Sequence, residues 1–193
     1  MLEELSNFFS VWNVTRGAAI TAYILLFISM VAGISYKMPL LPKKYTQTIL
    51  MTHEATGWFA LLFGMLHGIV LLFEKEYTSY TLLNILVPFT VKHNALSLCL
   101  GIFAFYGLLL LILSTDFIKK IGKRVWKTIH FLAFPAFYSS LFHGIFIGSD
   151  SESPIMLSLY IFTGIAVLLL TILRILYEWS RRKKMQPANM DIQ

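Results

Sequence analysis

The chain has 193 residues, of which 57% are hydrophobic and only 13% charged; its mean hydropathy is +0.70 and its formal net charge +6. A soluble domain carries about 25% charged residues, and a globule this small leaves much of its surface facing water. Composition therefore excludes an ordinary soluble enzyme, a disordered chain and a low-complexity or collagen-like protein. It predicts an all-α polytopic membrane bundle built from helices of about 20 residues.

The N-terminus, Met1-Leu2-Glu3-Glu4, has no basic start and no cleavage pattern, so it does not read as a secretory signal peptide. Five apolar stretches follow, at about 17–36, 49–73, 95–115, 126–148 and 155–177. They predict five transmembrane helices. No linker is long enough to divide the chain, so residues 1–193 read as one membrane domain. Between the second and third spans, Leu82 to Phe89 forms an apolar piece too short to cross a bilayer. It reads either as a cap over a buried site or as an interfacial anchor. Cys99 is the single cysteine, which excludes an intramolecular disulfide and any multi-cysteine metal site. Flanked by Leu98 and Leu100, it reads as a small lipid- or core-facing residue.

Twelve of the sixteen basic residues fall on one side of this topology. Lys37, Lys43 and Lys44 follow span one; Lys119, Lys120, Lys123, Arg124 and Lys127 precede or open span four; Arg181, Arg182, Lys183 and Lys184 follow span five. Glu3, Glu4, Glu74, Glu76, Asp150 and Glu152 lie on the other side. The positive-inside rule then puts the N-terminus outside and the C-terminus in the cytoplasm. Basic clusters that hug span ends fit anionic lipid head groups and make nucleic acid a poor partner.

Five histidines carry the chemistry. His53 and His67 lie in span two, His130 and His143 in span four, and His93 just before span three. An ionisable residue inside a span is costly and marks function. Spacings of 14 and 13 residues correspond to about 21 Å and 20 Å of helix. Both spans run in the same direction, so His53 pairs in depth with His130, and His67 with His143. Two histidines at one depth leave zinc short of ligands. A haem needs only axial ligands from the protein, and imidazole serves. Two six-coordinate b-type haems, suited to passing electrons, are the expectation. On a helical wheel Gly57, Ala60 and Gly64 share the face of His53 and His67. Such a strip lets a flat macrocycle approach the backbone, or lets helices pack closely. Thirteen residues turn an ideal helix by about 220°, so His130 and His143 need a re-phasing device; Pro135 lies between them. His93 reads as an interfacial histidine or a substrate-side residue.

With this histidine pattern the chain resembles the di-haem core of the NADPH oxidase and ferric reductase superfamily, over nearly its whole length. Trp126-Lys127-Thr128-Ile129-His130 resembles the W-x-x-x-H start of the second haem helix in bacterial members, among them the haem-binding subunit of the methionine sulfoxide reductase system. Trp12-Asn13-Val14-Thr15-Arg16-Gly17 resembles their first-span start. The resemblance implies a transmembrane electron conduit in a cell membrane, of the bacterial cytoplasmic type. His53 and His130 would ligate the inner haem, His67 and His143 the outer. Arg16 would pair with outer haem propionates, or else snorkel; Arg124 and Lys127 would do so at the inner haem, or else contact lipid. Eukaryotic members carry a flavin and nicotinamide domain after the last span, and the oxidases have six spans. Here a short polar tail follows span five and there is no Gly-rich phosphate loop. The expected donor is therefore a separate flavin reductase or a quinol. The expected acceptor is external: ferric iron, oxygen or a partner reductase. The competing possibilities are a cofactor-free small transporter or scaffold, and a chain with one haem only.

Overall fold

A computed structural model describes residues 10–36, 38 and 42–185. Met1 to Glu4, Lys37 and the side chain of Lys184 lie outside the described residues. The helices are α1 (Val11–Ser35), α2 (Thr46–Leu71, entered through a 3-10 turn at Lys43–Tyr45), α3 (Leu82–Leu86), α4 (Ala95–Asp116), α5 (Ile118–His130), α6 (Ala133–Ile147) and α7 (Pro154–Met185); no strand occurs among the described residues. Four stretches are long and apolar enough to cross a membrane: Val11–Ser35, Lys43–Leu71, Ala95–Asp116 and Pro154–Lys183. A fifth crossing forms if α5 and α6, bent by 44°, count as one span. The chain is a multi-pass, all-α membrane protein.

In lipid, backbone and hydroxyl groups must find partners inside the protein. The span hydroxyls do so by bonding back one turn. Thr15, Thr56 and Thr171 donate to the carbonyls of Val11, Thr52 and Val167 at 2.8, 2.6 and 2.7 Å. The α1 and α2 helices run antiparallel and share the largest interface; α4 packs on α6, and α7 on α1 and α6. Their shared core contains Tyr23, Leu26, Met30, Leu108, Phe137 and Val167. Phe137 and Val167 have no exposed surface.

The expected single helix over 126–148 is instead two helices. Pro135 sits in the first turn of α6, where it has no N–H to offer. Its ring excludes the carbonyl one turn back, that of Phe131, and the break falls there, at Phe131–Leu132. The Phe131 carbonyl instead accepts from Phe134 N at 3.3 Å. A second interruption lies upstream at Gly122, whose φ of 80° is a left-handed conformation that glycine adopts without strain.

Basic residues gather at the end of the bundle that holds His53 and His130: Lys43 and Lys44 open α2, and five more lie on α5. Arg174 ties the far part of α7 to this end by donating to the Ile34 carbonyl at 3.0 Å and to that of Tyr36, so Arg181, Arg182 and Lys183 extend beyond it. The opposite end carries Glu74, Glu76, Asp150 and Glu152. There the 72–94 connection folds back over the bundle. A capping box between Thr81 and Asn84 starts α3. Tyr106 of α4 donates to the Leu86 carbonyl at 2.8 Å, which pins α3 to the bundle. Cys99 is buried beneath this connection, where its sulfur accepts from Phe89 N at 3.1 Å.

Candidate functional site

The helices bring the four histidines of spans two and four together as two pairs. The His53 and His130 ring centres are 6.0 Å apart with planes at 73°. Those of His67 and His143 are 6.4 Å apart, also at 73°. A metal ion about 2 Å from the nitrogen of each of two opposed imidazoles sets the ring centres about 6 Å apart. Both pairs therefore have the spacing of two axial ligands on one iron. Along α2 the pairs are separated by about 21 Å of helix rise.

Three of the four rings are oriented by the backbone. His53 Nδ1 lies 2.9 Å from the Ser29 carbonyl and His67 Nδ1 3.1 Å from that of Thr15, both on α1. His143 Nδ1 lies 2.7 Å from the Ser97 carbonyl on α4. A carbonyl accepts only, so each Nδ1 carries the proton and each Nε2 keeps its lone pair for a metal. Ser29 adds a second tie, its hydroxyl donating to the His53 carbonyl at 2.9 Å. His130 differs: its Nδ1 is buried without a hydrogen-bond partner, and its ring stacks on Trp126 with centres 4.8 Å apart.

Two glycines make room for the rings. A β-carbon at Gly33 would lie 3.0 Å from two atoms of the His53 ring. One at Gly101 would lie 2.7 Å from two atoms of the His143 ring. Of the strip on α2, Gly64 and Ala60 line a cavity of about 320 Å³ around the His67–His143 pair. A β-carbon at Gly64 would meet nothing nearer than 4.0 Å. Gly57 serves helix packing, since a β-carbon there would meet Ser29 Oγ at 3.3 Å. Leu82, Ile85 and Leu86 of α3 line the cavity, while Leu83, Val87 and Phe89 of the same piece are exposed.

Arg16 lines the same cavity and is paired with Asp150, its Nε donating to Oδ2 at 2.8 Å and its Nη2 to Oδ1. Trp12 stacks on Tyr77 beside it. Arg124 and Lys127 are exposed and border an open crevice with Thr128 and Phe131 at the other end. His93 is exposed before α4 and joins neither pair.

Among the described residues no three or more His, Cys, Asp or Glu side chains converge as a metal site. Two imidazoles with ring centres 6.0 or 6.4 Å apart instead fit a macrocycle that supplies the remaining ligands. The glycine-relieved rings and the cavity at His67 and His143 are both compatible with that group.

The chain matches the family described as "Ferric reductase like transmembrane component" over residues 18–141. It belongs to that family. Membership indicates a membrane electron-transfer role. The matched segment contains His53, His67 and His130 and stops two residues before His143. No curated protein and no solved structure gives a significant match.

Sequence reasoning missed the partners of these residues. Backbone carbonyls at Thr15, Ser29 and Ser97 leave no mark in a sequence, because every residue has one. Gly33 and Gly101 did leave a signal, as glycines within long apolar spans, but nothing local says which ring they face. Asp150 was read only as an external charge, not as the partner of Arg16.

Proposed function

We propose that the chain is a transmembrane electron-transfer subunit carrying two b-type haems, one between His53 and His130 and one between His67 and His143. The observation that supports this most directly is the matched pair geometry, two imidazole pairs with centres 6.0 and 6.4 Å apart. A bis-imidazole haem supplies reversible one-electron storage without an open iron position. The protein's own residues hold and orient: α1 and α4 carbonyls fix the proton on Nδ1 of three ligands, and this hydrogen bond raises their basicity. Apolar packing around Phe137 and Val167 excludes water between the two depths. Arg16, held by Asp150, offers a cation at the mouth of the His67–His143 cavity for the propionates.

The basic end faces the cytoplasm under the positive-inside rule, which places the N-terminus outside and the C-terminus inside. A flavin-bearing partner protein, or a membrane quinol, donates at His53–His130. Ferric iron, oxygen or a partner reductase accepts at the opposite face. The setting proposed is a bacterial cytoplasmic membrane, with anionic lipid at the lysine and arginine clusters.

Pyridine haemochrome analysis of protein purified from haem-replete cells tests this. Two b-type haems per chain are expected. A colourless, folded protein would favour a cofactor-free transporter or scaffold, and one haem would make one histidine pair structural; either result overturns the proposal.

A further inference from the structure

His130 stands apart from the other three histidines in three respects. Its Nδ1 is buried with no acceptor, whereas His53, His67 and His143 each reach a backbone carbonyl. It ends a short helical segment between two interruptions, the left-handed Gly122 and the 44° bend at Phe131–Leu132. No residue of α5 is buried, while α2 and α6, which carry the other three, contribute Ala60, Leu61, Phe137 and Leu141 to the core. What holds the ring is the stack on Trp126, whose indole N–H donates to Thr115 Oγ1 at 3.1 Å.

A hydrogen bond from the nitrogen that does not bind the metal fixes the orientation of a ligating imidazole and raises its basicity. A histidine without that bond is the weaker donor. Carried on a segment that contributes no buried residue to the core, it is also the one whose helix can move at least cost to the core.

We infer that His130 is the exchangeable ligand of the pair, so that the His53–His130 centre admits a small neutral strong-field ligand of the carbon monoxide class in place of the His130 imidazole. The His67–His143 centre, with both rings hydrogen-bonded to backbone, remains closed to it. The step is a ligand exchange. His130 Nε2 leaves with its lone pair, the incoming ligand supplies another, and no electron or proton is transferred. This rests on the two-haem reading above.

The test is carbon monoxide uptake by the full-length, detergent-purified protein after dithionite reduction, with haem content measured on the same sample. In the wild type one of the two haems is expected to bind carbon monoxide. The double variant His67→Ala/His143→Ala retains uptake by its remaining haem, and His53→Ala/His130→Ala loses it. No uptake by the wild type, uptake by both haems, or the reverse pattern in the variants overturns the inference while leaving two haems in place. A protein without haem overturns the two-haem reading itself, and the haem measurement distinguishes that outcome. The wild-type stoichiometry does not depend on whether either variant folds.

Discussion

Replacing Gly101 with alanine adds one methyl group directly against a candidate ligand. The new β-carbon would lie 2.7 Å from Cε1 and Nδ1 of His143 and 3.0 Å from Nε2. Ordinary contact begins at about 3.4 Å, so the ring must move by about 0.7 Å. Moving α4 cannot relieve the clash cleanly, because the Ser97 carbonyl that anchors His143 Nδ1 at 2.7 Å lies one turn away on the same helix. Overpacking costs about 1–3 kcal/mol, and loss of a buried hydrogen bond about 1–3 kcal/mol. The gain from replacing a mid-helix glycine is only about 1 kcal/mol, so the unfavourable terms prevail. A functional constellation tolerates displacements of about 0.5 Å, and 0.7 Å exceeds this. The expected result is a folded protein whose haem content falls from two to one per chain, read by pyridine haemochrome. Gly17→Ala is the control, since a β-carbon at Gly17 meets nothing within 4 Å; it should keep both haems. If Gly101→Ala retains two haems and an unchanged spectrum, the seating of His143 against α4 is wrong.

Three further outcomes are expected. Either His67→Ala or His143→Ala should change the axial ligation of one haem and spare the other, seen by low-temperature spectra of the reduced protein; loss of neither signal contradicts the pairing. Gly122→Ala forces a side chain into a conformation with φ of 80° and ψ of 154°, at a cost of about 1–3 kcal/mol. Because α5 contributes no buried residue to the core, thermal melting should shift only slightly, whereas the spectrum of the His53–His130 centre should broaden; a large loss of melting temperature would mean that α5 belongs to the folding core. If the donor is an acidic soluble flavoprotein, its rate of reducing this chain should fall steeply as salt rises from about 0.02 to 0.3 M, because screening weakens attraction to the lysines and arginines at the His53–His130 end. A salt-insensitive rate points to a quinol within the membrane.

Hydropathy alone was enough to locate the four unbroken spans, because a bilayer imposes an apolar length that no packing detail overrides; the fifth stretch is a bent pair of helices. The pairing of His53 with His130, and of His67 with His143, was also legible. Helix rise is nearly constant, so 14 and 13 residues can be converted to depth without knowing the neighbours. Direction around the helix was not legible in span four. The same 13 residues that fix the depth of His143 leave its bearing open, and only the break at Phe131–Leu132 supplies the rotation that turns both rings toward α2. Sequence marked Pro135 as the cause, while structure placed the break one turn ahead of it, where the excluded carbonyl lies.

What tertiary structure alone decided is which groups surround each ring. Backbone carbonyls of Thr15, Ser29 and Ser97 become proton acceptors only once α1 and α4 lie against the histidine helices. Gly33 and Gly101 become seats for the rings by the same contacts, and Arg16 meets Asp150 across 134 residues of chain. The difference between His130 and its three counterparts belongs to this level too. Spacing depends on residue number, and the sequence carries it. Hydrogen bonding depends on what a neighbouring helix presents, and that exists only after the bundle has packed.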